Sequence, residues 1–127
     1  MQGILRAGTV LIGILFLLIS AAFLFAPTLA AGGFGISPAG NQGRATLRVD
    51  MTSLFAALGA LLAWGGWTSD RRALNFVAGL MVVALVGRAV SRVADGAYAG
   101  WWQPALIELA ALVFAFSYSR SLAARKP

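Results

Sequence analysis

Neither cysteine nor histidine occurs in the 127 residues of this chain. Without cysteine there are no disulfides, no thiolate nucleophile and no iron–sulfur ligation. Without histidine the usual haem and zinc ligand is missing, and so is the commonest general base near neutral pH. Carboxylates are scarce as well: four Asp and Glu stand against ten Lys and Arg. Chemistry in such a chain falls to Asp, Glu, Arg, Tyr, Ser or a bound cofactor, and no motif asks for a metal or for a particular cofactor. The glycine-rich "GFGISPAG" (Gly33 to Gly40) has neither the Lys-Ser/Thr of a phosphate-binding loop nor the spacing of a dinucleotide fingerprint.

What is present is apolar. Hydrophobic residues make up 60% of the chain and charged ones only 11%. A soluble domain of this length could not hide so much apolar surface, whereas a membrane protein has no need to. Four runs reach the length of about 20 residues that crosses a hydrocarbon core of about 30 Å. They cover residues 4–25, 50–67, 73–94 and 104–119, with a long loop over 27–46. The expected fold is all-α: an integral membrane, antiparallel four-helix bundle forming one domain over 1–127. The first run precedes "APTLAAGG" (Ala26 to Gly33), which looks like a signal-peptidase site. Its apolar core is longer than the usual secretory signal, so it reads as a retained helix.

The net charge of +6 does not point to nucleic acid. The basic residues sit singly or in pairs at the ends of apolar runs, not along one face interleaved with aromatics. Their positions set an orientation instead. With the N-terminus inside, the cytoplasmic ends carry Arg6, Arg71, Arg72, Arg120, Arg125 and Lys126, and the outer ends carry Arg44, Arg48, Arg88 and Arg92. Both termini are therefore expected in the cytoplasm. Ser69 or Asp70 caps the third helix, Pro104 opens the fourth, and Trp101 and Trp102 anchor at the interface. The small-residue spacings Ala56 to Ala60 and Gly59 to Ala63 read as helix packing.

One stretch breaks the apolar pattern. In "VGRAVSRVADG" (Val86 to Gly96), Arg88, Arg92 and Asp95 fall within about 60° of one another on a helix turning about 100° per residue. Arg92 and Asp95, three apart, can pair. Arg88 and Glu108 lie equally far from the turn at Tyr98 and Ala99, at nearly equal depth, about 6–9 Å inside the outer boundary at about 1.5 Å per residue. Glu108 is thus the natural counter-ion of Arg88. Arg48 and Asp50 enter from the same side on the second helix. The six residues Arg48, Asp50, Arg88, Arg92, Asp95 and Glu108 form the candidate site. Charged groups in a membrane are costly unless they point inward and pair. They make either an ion-pair network that fixes the helices in register, or a pocket whose arginines hold the polar head of an amphiphile. Proton chemistry with Glu108 or Asp50 as base is a third reading.

"LRVD" (Leu47 to Asp50), "GRAVSRVADG" and "IELA" (Ile107 to Ala110) together resemble a bacterial family of small four-helix membrane proteins, the domain-of-unknown-function family numbered four-three-four-five. The resemblance spans nearly the whole chain and draws attention to Arg48, Arg88, Asp95 and Glu108, but carries no activity with it. Thr52 and Ser53 stand where glycines would be expected. The expectation is a bacterial inner-membrane protein, non-enzymatic, that binds membrane lipid, an amphiphilic small molecule or a membrane-protein partner through its charged outer end. A small membrane enzyme or transporter component is the alternative, as is a homo-oligomer or an accessory subunit of a larger complex.

Overall fold

The computed structural model describes residues 1–124, so Arg125 and Lys126, counted above toward the cytoplasmic side, lie outside the described residues. The chain is all-helical, with no strand among the described residues. Helix α1 (Gln2–Phe25) is followed by a short α2 (Pro27–Gly33), then by α3 (Gly40–Thr68), α4 (Arg71–Ala94) and α5 (Trp102–Ala123). All but α2 are long and apolar enough to cross a membrane.

Local chemistry sets most of the ends. Pro27 has no N–H to give the carbonyl four residues back, so α1 stops, and the same proline opens α2 at a position that suits its fixed φ. Ser69 ends α3 in the left-handed region (φ 61°), and Asp70 caps α4 by accepting the Arg72 N–H at 2.9 Å. Pro104 falls in the first turn of α5, two residues inside its start.

One boundary departs from expectation. The stretch 27–46 is not a loop: it holds α2 and the first turns of α3, which begins at Gly40 rather than near Asp50. Helix α3 starts without a side-chain cap and then widens into a π-helical turn at Leu47–Met51. A glycine-rich start gives no capping signal, and the extra residue of a π turn interrupts the helical period. Only the part beyond the turn is therefore legible as a run.

The long helices pack side by side, α1 against α3 and α5, and α4 against α3 and α5. Neighbours run in opposite directions: Gln2 Nε2 donates to the Ser121 carbonyl at 3.0 Å, Ser20 Oγ to the Thr52 carbonyl at 2.8 Å, and Ser119 Oγ to Asn75 Oδ1 at 2.6 Å. Thr52, unexpected at its position, returns a weaker bond to the Ser20 carbonyl at 3.4 Å, beside the π turn. The closest approach joins α1 and α3 at Gly13 and Gly59. A Cβ on Gly59 would stand 2.7 Å from the Gly13 carbonyl oxygen, and one on Gly13 would stand 2.5 Å from the Ala63 nitrogen. The Gly59 to Ala63 spacing thus serves helix contact; Ala60, of the other spacing, is exposed.

Packing is uneven along the axis. Phe16, Leu58, Leu62, Leu74, Val77, Met81, Ala111, Ala115 and Tyr118 form the core. The buried residues of α4 all fall between Ala73 and Met81, and those of α5 between Ala111 and Ser119. Because the two helices are antiparallel, both stretches lie at the end where α3 turns into α4. We call this the tight end. At the opposite, capped end, Phe34 follows α2 and closes an aromatic cluster with Phe23 (centroids 5.3 Å apart) and Phe55 (5.7 Å). Below that cap the packing opens.

If the Gly13–Gly59 crossing sets the α1–α3 distance, Gly59→Val should cost about 1–3 kcal/mol through overpacking. Gly3→Val, where an added Cβ meets nothing within 4 Å, should leave stability unchanged. Denaturant unfolding of the detergent-solubilised protein measures both. Equal stability of the two variants would contradict the crossing's role.

Candidate functional site: an ion pair inside an apolar recess

The site is built where α4 and α5 leave the core. Two turns beyond Met81, α4 presents Arg88; one turn before Ala111, α5 presents Glu108. The guanidinium grips the carboxylate with two parallel bonds, Nε to Oε2 at 2.6 Å and Nη2 to Oε1 at 2.7 Å. Fork-to-fork geometry of this kind is among the stronger charge-assisted contacts and fixes direction as well as distance. It is the one ion pair among the described residues, and the side chains stay 28% and 16% exposed.

That residual exposure faces three adjoining spaces. A central recess of about 170 Å³ lies among Phe16, Ile19, Phe34, Met51, Leu54, Phe55, Pro104 and Ile107, with Arg88 and Glu108 in its wall. Above it, under Gly32–Ile36 and Tyr98–Gly100, is a vestibule of about 390 Å³ that shares Arg88, Phe34, Met51 and Pro104 with the recess. To the side, a slot of about 220 Å³ runs between α3 and α4 past Leu54, Leu58, Leu80 and Val83, and shares Glu108. The ion pair therefore sits at the junction. Arg88 borders the vestibule, Glu108 borders the slot, and apolar or aromatic side chains supply almost everything else.

The other candidate residues are placed differently. Arg48 reaches from the π turn to α1, where its Nε donates to the Leu24 carbonyl at 3.0 Å. That carbonyl lies in the last turn of α1, whose final acceptors have no intrahelical donor, and a cation there also suits the helix dipole. Asp50, in the same turn, is exposed. Arg92 does not pair with Asp95: its guanidinium lies over the Trp101 ring, 4.9 Å from the centroid. Asp95 caps the helix with near-helical backbone angles, its N–H bonded to the Ser91 carbonyl, so spacing permits the pair and the Trp101 ring takes the guanidinium instead. Asp95 is exposed in the turn that follows. Of the six, the structure joins Arg88 with Glu108 and leaves the others at the rim, each with its own partner or with solvent.

Several site residues carry no signal in the sequence. Phe34, Met51, Leu54 and Pro104 line the recess, yet as residue types they are indistinguishable from any apolar position. Among the described residues no group of three His, Cys, Asp or Glu comes together to hold a metal ion. Glu108, the one carboxylate on the recess, is engaged by Arg88. The arrangement presents guanidinium N–H groups to a recess otherwise lined by apolar side chains.

Removing either partner strands the other among apolar groups. Arg88→Met and Glu108→Gln should each lower stability by about 1–3 kcal/mol, less than the roughly 3–5 kcal/mol of a fully buried pair, because both side chains retain some exposure. Thermal unfolding in micelles checks this. Wild-type midpoints in both variants would show that the pair contributes nothing to the fold.

Comparison with known proteins adds one relationship. No curated protein and no solved structure matches the chain. Residues 4–119 match the model of a domain of unknown function, DUF4345. With that match covering nearly all of its length, the chain belongs to the DUF4345 family.

Proposed function

We propose that this protein is an antiparallel four-helix bundle of the bacterial inner membrane, with both termini in the cytoplasm, and that it binds an amphiphile at its capped end. At most 28% of any of the four apolar spans is buried within the protein. The outward remainder includes Leu11, Leu18, Trp64, Phe76 and Val83, an apolar surface too large and continuous to face water. Four arginines (Arg6, Arg71, Arg72 and Arg120) and one carboxylate (Asp70) mark the tight end. Four arginines and three carboxylates mark the capped end. The positive-inside rule weighs Lys and Arg near the span ends, and Arg48, Arg88 and Arg92 are already engaged in protein contacts.

The observation that carries the binding reading is the place of the Arg88–Glu108 pair at the junction of vestibule, recess and slot. An amphiphile matches that sequence of surfaces. Its head would meet the guanidinium N–H groups that Glu108 does not use, its body would lie against Phe34 and Phe55, and its tail would leave between α3 and α4 toward lipid. An internal network with no ligand would have favoured apolar filling of the recess, since an unfilled void loses contacts on all its walls.

Two measurements test this. The chain should stay with the membrane pellet after alkaline carbonate extraction; release into the supernatant would end the membrane reading. Lipid analysis of protein purified in a neutral maltoside should find an amphiphile with a polar head at near-stoichiometric level. Leu54→Trp, which fills the recess from its exposed rim, should remove it. An amphiphile no more abundant than in the bulk extract would contradict the binding reading.

A further inference from the structure

A second groove lies at the other end of the molecule, between α4 and α5, and belongs to none of the spaces described above. Its volume is about 420 Å³, within the span of about 300–1,000 Å³ usual for ligand sites. One helical face lines each side. Arg71, Asn75, Gly79 and Val82 follow one another along α4, and Arg120, Phe116 and Leu112 run back along α5. The groove is cationic at its mouth and apolar along its length.

The cations at the mouth have no protein counter-ion among the described residues. The nearest carboxylate in sequence, Asp70, already accepts the Arg72 N–H as the cap of α4. Arg71 Nε is buried without an acceptor, an arrangement that costs free energy unless something supplies one. The Arg120 guanidinium rests 5.9 Å above the Phe116 ring, which holds it at the rim. Asn75 Oδ1 accepts from Ser119, so the Asn75 amide N–H groups stay available to an outside acceptor. Farther along, Gly79 leaves the floor open: a Cβ there would meet nothing within 4 Å.

We propose that this groove holds one anionic phospholipid. The phosphate accepts from Arg71, Arg120 and Asn75, and an acyl chain lies over Gly79 between Val82 and Phe116. Charge complementarity chooses the occupant. A zwitterionic lipid would bring a third cation to a mouth that already holds two unpaired ones, and a water-soluble phosphate would leave the apolar length uncovered. The proposal rests on the membrane reading, not on the amphiphile in the capped recess.

The test is native mass spectrometry of the full chain in neutral detergent, titrated with phosphatidylglycerol or phosphatidylcholine of matched chains. Phosphatidylglycerol should bind more tightly, and Arg71→Gln and Arg120→Gln should each weaken it about fivefold, as expected for one basic residue at an anionic surface. Gly79→Leu should weaken both lipids by occupying the floor. It should do so in a folded protein, since the position is open and leucine favours helix over glycine. Equal binding of the two lipids by the wild type would overturn the proposal. So would an adduct that survives Gly79→Leu yet is lost in Leu54→Trp; that result would assign the lipid to the capped recess and leave the membrane reading, scored by carbonate extraction, untouched.

Discussion

A charged group surrounded by hydrocarbon side chains needs its counter-ion at hydrogen-bond distance, and the fold of this protein is organised around meeting that need once. Arg88 and Glu108 come from helices that are adjacent in sequence, and each sits about the same number of residues from the turn between them. The pairing therefore costs little loop entropy and sets the register of α4 against α5. The same bidentate contact holds the two helices together beyond the point where the core ends.

The molecule divides into a tight end that supplies most of the packing and a capped end that supplies a cavity. At the tight end the core residues of α4 and α5 meet those of α1 and α3, and the Ser69 hydroxyl bonds the Tyr118 hydroxyl at 2.9 Å across the turn. At the capped end Pro27 breaks the first helix, Arg48 takes up one of the carbonyls this leaves, and α2 folds Phe34 down onto Phe23 and Phe55. The π turn lies in α3 at that level. There Arg48 reaches α1, and Asp50, two positions further and therefore on the opposite side of the helix, stays exposed.

Much of this was legible from residue order. Hydropathy located the four long helices, the cap of α4 was narrowed to Ser69 or Asp70, and counting residues from the turn paired Arg88 with Glu108. What stayed hidden depended on tertiary placement. Depth alone groups Arg48 and Asp50 with the pair, since all enter at one end of the bundle, but it does not say that Arg48 turns to the Leu24 carbonyl and Asp50 to solvent. Spacing alone matched Arg92 with Asp95, whereas the ring of Trp101, seven residues beyond the helix end, took the guanidinium instead. Leu54 and Met51 became cavity walls only because α3 and α4 part below the cap. The groove at the tight end was out of reach for the same reason: Arg71 and Arg120 are far apart in sequence and meet only through the antiparallel packing of α4 on α5.

The dependence of the fold on this one contact is tested most directly by exchanging its charges. Arg88→Glu and Glu108→Arg each place two like charges together in the recess, and each alone should be markedly unstable in micelles. The double exchange restores an opposite pair at the same site. It should recover most of the loss, a coupling that distant, independent positions do not show. Thermal midpoints that fall in the double variant by the sum of the two single losses would contradict the account.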